Sequence, residues 1–215
     1  MTGQACHLRA VGELSPVADR SANFVLSSFT SAESPNARLP DGVALRTLSD
    51  RWDGAQQITE VYRGDWPLDV APAQWNFVSS KPNTLRGVHA HPDHWDYLHV
   101  VSGEMLLGLH DLRPGYSTFR LAAQCHLSGK RPVGIAIPPG VAHGFYFASH
   151  TTYFYALSQY WTSTSELGCR WDDPALGLSW PTSDPLLSQR DATASSYAEL
   201  AKGVAAALAR GSIRP

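Results

Sequence analysis

From Val43 onward the chain is divided into short stretches in which apolar and polar residues alternate, separated by Gly, Pro, Asn and Asp. Alternation with period two marks strands with one buried face, and frequent turn signals between them point to an all-β sandwich or barrel. The pattern predicts strands over Val43–Leu48, Gln56–Tyr62, Gln74–Ser79, Leu85–His91, Asp96–Val101, Glu104–His110, Thr118–Leu127, Gly134–Ile137, His143–Phe147 and Thr152–Tyr160. Ser102-Gly103 reads as a tight hairpin, since glycine adopts the positive φ that such turns need. Residues 1–42, rich in Ser, Ala, Pro and Gly, read as an N-terminal extension or irregular arm. Regular strands stop after Tyr160. Over Ser195–Arg210, Tyr197, Leu200, Ala201, Val204 and Leu208 fall near helical spacing among good helix formers, which predicts a terminal helix weakly broken at Gly203. The expected organisation is an extension over 1–42, a β domain over 43–191, and a C-terminal helix and tail over 192–215.

Composition narrows the function. A chain of 215 residues suits one domain, and 17 basic against 19 acidic side chains give a formal charge of −2, with no electrostatic footprint for nucleic acid or an anionic membrane. With 43% apolar residues the chain buries a core. No apolar run approaches the roughly 18 residues that span a bilayer, and Met1–Arg20 lacks the apolar stretch of a secretory signal, so the expected location is the cytoplasm. Cys6, Cys125 and Cys169 are far apart and form no C-x-x-C pair, which suggests neither a disulfide framework nor a thiolate zinc site. No glycine-rich phosphate loop occurs.

Four of the nine histidines fall between His89 and His99. On a strand His89 and His91 share one face, Asp96 follows five residues later, and His143 closes the segment PPGVAH. The spacing H-x-H-x(4)-D-x(6)-G, with a later P-x-G-x-x-H, resembles the two cupin motifs with Asp in place of Glu. Imidazole and carboxylate together suit a divalent metal such as Fe, Mn, Ni or Zn, so His89, His91, Asp96 and His143 form a candidate three-histidine, one-carboxylate site. The bland alternative is that they are hydrogen-bonded pocket or core residues. His7, His94, His99, His110, His126 and His150 match nothing and read as surface or packing residues.

A more specific likeness rests on several segments in order: LRGVH at Leu85–His89, VSGE at Val101–Glu104, DLRPGYSTF at Asp111–Phe119, IPPGVAHGF at Ile137–Phe145, RWDDPALGLSWP at Arg170–Pro181 and LSQRD at Leu187–Asp191. Together they resemble the dTDP-4-dehydrorhamnose 3,5-epimerase family, a jelly-roll branch of the cupin superfamily. The resemblance implies a cupin jelly-roll of two packed antiparallel sheets, a homodimer, and a nucleotide-diphosphate sugar of the 4-keto-6-deoxy class as substrate, with no cofactor. It implies His89 as general base, Asp191 as the residue that orients it and Tyr155 as general acid. Glu60, Gln74, Asn76, Arg86, His143, Glu166 and Arg190 match its substrate-binding positions. The residue types suit the chemistry, because a proton beside a ketone is removable when the enolate is stabilised and imidazole titrates near neutral pH.

Three positions depart from that family. Where it has a lysine near the 4-keto oxygen, this chain has Asp96, and a unit charge at 4 Å in an effective dielectric near 20 is worth about 4 kcal/mol. The positions after His89 are Ala90 and His91, in place of the family's aromatic residue and glutamine. The expected function is therefore C3 or C5 epimerisation, or both, through an enolate. The alternatives are a metal-dependent cupin oxygenase or isomerase and a non-catalytic sugar-nucleotide-binding homologue. A His89 that gives its lone pair to a metal cannot also act as base, so the first two exclude each other as stated.

Overall fold

The computed structural model describes residues 7–10, 38–162 and 166–211, with His7–Ala10 described by backbone alone. Thirteen strands fold in chain order among these residues: β1 His7–Ala10, β2 Ala44–Thr47, β3 Asp50–Trp52, β4 Gln57–Thr59, β5 Gln74–Ser80, β6 Thr84–Ala90, β7 Asp96–Ser102, β8 Glu104–Asp111, β9 Ala122–Ser128, β10 Val133–Ile137, β11 Val141–Phe147, β12 Thr151–Leu157 and β13 Leu167–Gly168. Helices α1, Gln189–Ala192, and α2, Tyr197–Ala209, follow. A six-stranded sheet in the order β1-β9-β8-β11-β6-β13 packs on a five-stranded sheet in the order β2-β10-β7-β12-β5, and every pairing is antiparallel. This is the expected cupin jelly-roll with its C-terminal helix.

The period-two pattern located its ten strands to within a few residues, apart from the 118–127 and 56–62 segments. The start of the former is taken up by a turn, where Arg120 adopts φ +67 and its N–H donates to Asp111 O at 2.8 Å. In the latter only Gln57–Thr59 is strand, paired with β3 in a separate two-stranded ribbon. Within the stretch read as an N-terminal extension or irregular arm lies a strand that was not expected, β1, which pairs with β9 from His7↔His126 to Ala10↔Ala123. Four residues at a sheet edge carry too little alternation to be recognised. Gly203 does not break α2. It lies against β13, where an added Cβ would stand 3.1 Å from Leu167 Cδ1, so the small residue lets helix and strand approach.

Between the sheets lies the main core, with Leu98, Val100, Met105, Leu107, Leu109, Ile135, Ile137 and Phe147 among its members. A second cluster covers the outer face of the six-stranded sheet, where Val88, Ala90 and Ala142 meet Leu200 and Val204 of α2. Because successive side chains of a strand point to opposite faces, Val88 and Ala90 facing α2 aim the intervening His89 into the sandwich. Burying Leu200 alone contributes about 1.5–3 kcal/mol, and Ser196 and Glu199 close a capping box at the helix start.

The DLRPGYSTF segment is structural. Arg113 is fully buried and donates twice to Asp111, from Nε at 2.8 Å and Nη2 at 2.7 Å, while Thr118 Oγ1 donates to Asp111 Oδ2 at 2.6 Å and Arg113 Nη2 also reaches Asp41 O. The pair holds the β8–β9 connection. Asp111→Ala leaves the guanidinium buried without its counter-charge, and we expect a loss of about 3–5 kcal/mol in urea unfolding. A loss under about 1 kcal/mol would show that the pair does not hold the fold.

Candidate active site

Strand β6 carries the first elements of the site. Gly87, at φ +109, lies so close to β11 that an added Cβ would stand 2.9 Å from Gly144 Cα and 2.9 Å from His143 O. That approach pairs His89 with His143 across the two strands, while the Arg86 side chain stays about half exposed. His89 Nε2 meets Asp191 Oδ1 at 2.6 Å, and Arg190 Nη2 also contacts Nε2. With Nε2–H turned toward the carboxylate, Nδ1 keeps the lone pair that accepts a proton. Burial holds the His89 imidazole below its ordinary value; the Asp191 hydrogen bond opposes this and the Arg190 charge reinforces it.

Asp191 stands in the first turn of α1. Ser188 caps that helix and its Oγ donates to Asp191 Oδ2 at 2.7 Å, while Arg86 Nε lies 3.3 Å from the same oxygen. Burial raises the Asp191 carboxyl, but the hydrogen bonds from His89 and Ser188 and the charges of His89 and Arg86 outweigh it, so the group is held below its usual range and stays ionised. Sequence reasoning missed Ser188. Its signal was the S-x-x-D spacing of a helix start.

Around this pair stand most of the other expected residues. Arg190 forms an ion pair with Glu166, whose Oε1 accepts from Trp161 Nε1 at 2.5 Å, and the Trp161 backbone N–H donates to Gln74 Oε1 at 2.9 Å. Gln74 Nε2 donates to Asn76 Oδ1 at 3.1 Å, and Asn76 pairs in register with Tyr155 of β12. Trp161, which links Gln74 to Glu166, was not singled out from the sequence. Tyr155 belongs to the opposite sheet from His89; burial and the Asp96 charge raise its phenol above the ordinary value, with Arg86 and Arg190 acting the other way. Glu60 stands apart from this set, paired with Arg51 at 3.6 Å and Arg63 at 3.8 Å at the surface. The three lysines, Lys81, Lys130 and Lys202, are all exposed.

The expected four-ligand set does not form as drawn. His91 stands one residue beyond the end of β6, so the alternation that was to place it beside His89 no longer applies. His89 is turned to Asp191. Among the described residues, the metal-ligating atoms that close to within 4.8 Å of one another belong to His91, His94 and Asp96. His94, expected at the surface or in packing, is buried with its ring stacked on His91 at 4.3 Å. His143 Nε2 and His91 Nε2 lie 3.9 and 3.8 Å from Asp96 Oδ2. Burial lowers His143 to about 3, lowers His91 well below the ordinary value, and raises Asp96 well above it. His99 and His110 are buried packing residues bonded to Val133 O and Leu176 O.

Comparison with known proteins places this geometry in a family. The profile of the dTDP-4-dehydrorhamnose 3,5-epimerase family matches residues 55–199. The dTDP-4-dehydrorhamnose 3,5-epimerase of Neisseria gonorrhoeae is 31% identical over 158 residues, 70% of this chain, although the chain spans only 48% of that relative's length. Among solved structures, NovW, a 4-keto-6-deoxy sugar epimerase of Streptomyces spheroides, superposes with a TM-score of 0.70 at 28% identity, covering 77% of this chain and 88% of its own. RmlC of Legionella pneumophila, solved with dTDP-4-keto-L-rhamnose, gives 0.68 at 28% identity over 74% and 92%. With a profile match over most of its length and a paired His89 and Asp191 inside a jelly-roll, the chain belongs to the dTDP-4-dehydrorhamnose 3,5-epimerase family.

Proposed function

We propose that this protein epimerises a nucleotide-activated 4-keto-6-deoxy sugar at C3, C5 or both. The observation that carries the reading is the buried His89–Asp191 pair at 2.6 Å, which keeps one imidazole nitrogen ready to accept a proton. In this mechanism His89 removes the proton next to the ketone, Asp191 holds the ring and balances the imidazolium that forms, and Tyr155 returns a proton from the opposite face. The proton transfers themselves need no cofactor. In this reading Arg86 and Arg190, each about half exposed, take the diphosphate, because guanidinium makes paired, charge-assisted bonds to phosphate oxygens. Gln74, Asn76, Glu166 and His143 complete the sugar-nucleotide site in this reading, and Glu60 would join it only through a movement of its loop. The relatives' names supply the substrate class: NovW is a 4-keto-6-deoxy sugar epimerase and the Legionella protein was solved with a dTDP-linked keto sugar. A cytoplasmic homodimer belongs to the same proposal; among the described residues no helix is long and apolar enough to cross a membrane.

Three measurements test it. His89→Ala should abolish solvent deuterium exchange at the carbon beside the ketone of a dTDP-4-keto-6-deoxy sugar while retaining its binding, whereas Tyr155→Phe should keep exchange and lose inversion. Equal and complete loss of exchange in both variants would refute this division of roles. Asp191→Asn should slow exchange by about 10²–10⁴-fold with little change in sugar-nucleotide affinity, since the carboxylate acts through the ring it orients. Light scattering at micromolar concentration should give twice the 23.4 kDa chain mass, and a monomer would remove the dimer from the proposal.

A further inference from the structure

The loop between β6 and β7 buries more unmet polar capacity than a protein interior normally tolerates. His91 Nδ1 and His94 Nε2 are both buried without a hydrogen-bond partner. The Asp96 carboxylate is buried beside them, and its ion-pair neighbours are His91 and His143, at distances too long for hydrogen bonds. Among the described residues neither a lysine nor an arginine is paired with it. A buried carboxylate set among imidazoles is costly unless a cation or a proton completes it.

Geometry favours a cation. Donor atoms of His91, His94 and Asp96 lie within 4.8 Å of one another, and metal–ligand bonds of about 2.0–2.2 Å put two ligands of one ion roughly 3–4 Å apart, so small side-chain rotations close the set. His94 Nδ1 is 2.9 Å from Asp93 Oδ1 and 3.3 Å from the Gln159 side-chain amide; in the tautomer with the proton on Nδ1, directed to the nearer carboxylate, the Nε2 lone pair is free, the carboxylate–histidine arrangement that orients metal ligands. His143 Nδ1 lies 3.2 Å from Val141 O, and donating to it leaves the Nε2 lone pair facing Asp96. The loop is anchored at both ends, by Gly140 N–H to His91 O at 2.8 Å and by Trp95 N–H to Ser158 Oγ at 2.9 Å. His89 stays outside the set because Asp191 already holds it.

We propose that His91, His94 and Asp96 bind one divalent first-row transition-metal ion, with His143 beside it as a further nitrogen donor. Imidazole and carboxylate donors suit Zn(II), Co(II), Ni(II) or Fe(II), and with His143 also bound a five- or six-coordinate ion keeps a position open. His143 pairs in register with His89, so that open position shares the cavity of the base, where a bound ion draws charge from a substrate oxygen. This catalytic part rests on the epimerase reading; metal binding does not.

The test strips the full-length protein with a chelator and titrates it with Co(II), followed by visible absorption, then with Zn(II) in competition. One equivalent of Co(II) per chain is expected. His94→Gln should abolish the spectrum, Asp93→Asn should weaken affinity about 10–100-fold, and His89→Asn should keep the stoichiometry. Circular dichroism checks each variant's fold, and where a variant does not fold the wild-type titration decides. Absence of stoichiometric Co(II) or Zn(II) binding by the wild type overturns the proposal, as does loss of metal in a folded His89→Asn. No substrate enters these titrations, so their outcome is independent of the epimerase reading; a separate exchange assay in which the metal-loaded wild type fails to exchange protons of a dTDP-4-keto-6-deoxy sugar would count against that reading and leave the metal site standing.

Discussion

The Asp191 carboxylate is the point on which the site depends. It sits buried at the start of a four-residue helix, 102 positions along the chain from the imidazole that it holds. A charge in that place persists only because Ser188, His89 and Arg86 all bring hydrogens or positive charge to it. Backbone bonds fasten the segment to the sheet as well: Leu85 N–H donates to Leu186 O at 3.0 Å and Leu186 N–H to Asn83 O at 2.7 Å. The segment after β13 is therefore part of the site, because it supplies the group that fixes the ring of His89.

Strand β6 joins stability to chemistry in a similar way. Its outward side chains, Val88 and Ala90, are sealed by α2, and its inward side chain His89 enters the cavity. A slip of one residue in the pairing of β6 with β11 would exchange these faces. The packing of the helix on the outer face thus protects the register that aims His89, and Gly87 permits the strand approach on which this register relies.

Most of the fold was legible because strand alternation is a local property. The terminal helix and, at least in part, ten strands were readable from it; β1 and the two residues of β13 escaped because their partners β9 and β6 lie far along the chain, and β3 and α1 because three or four residues carry no readable period. The site divided along the same line. His89, Arg190 and Asp191 were recognised through their motifs, since no local pattern shows that residues about a hundred positions apart will touch. The metal-ligand reading failed at His89 for a physical reason, as the alternation that grouped it with His91 ends with the strand at Ala90. His94 was passed over because a single histidine in a loop has no periodicity to betray its burial.

Charge placement gives the cavity a direction. Arg86 and Arg190 are each about half exposed, and each has a more buried acidic partner, Asp191 and Glu166 respectively. That arrangement leaves guanidinium surface for an anionic group entering from solvent, while the ionised acids hold the arginines in place. At the inner end Asp96 has only imidazoles for neighbours, and burial keeps those imidazoles neutral near pH 7. Negative charge forming on a sugar oxygen beside an ionised Asp96 would be opposed by about 4 kcal/mol at 4 Å in an effective dielectric near 20. A proton on Asp96, which its burial favours, or a cation shared with the unpartnered nitrogens of His91 and His94 would remove that opposition.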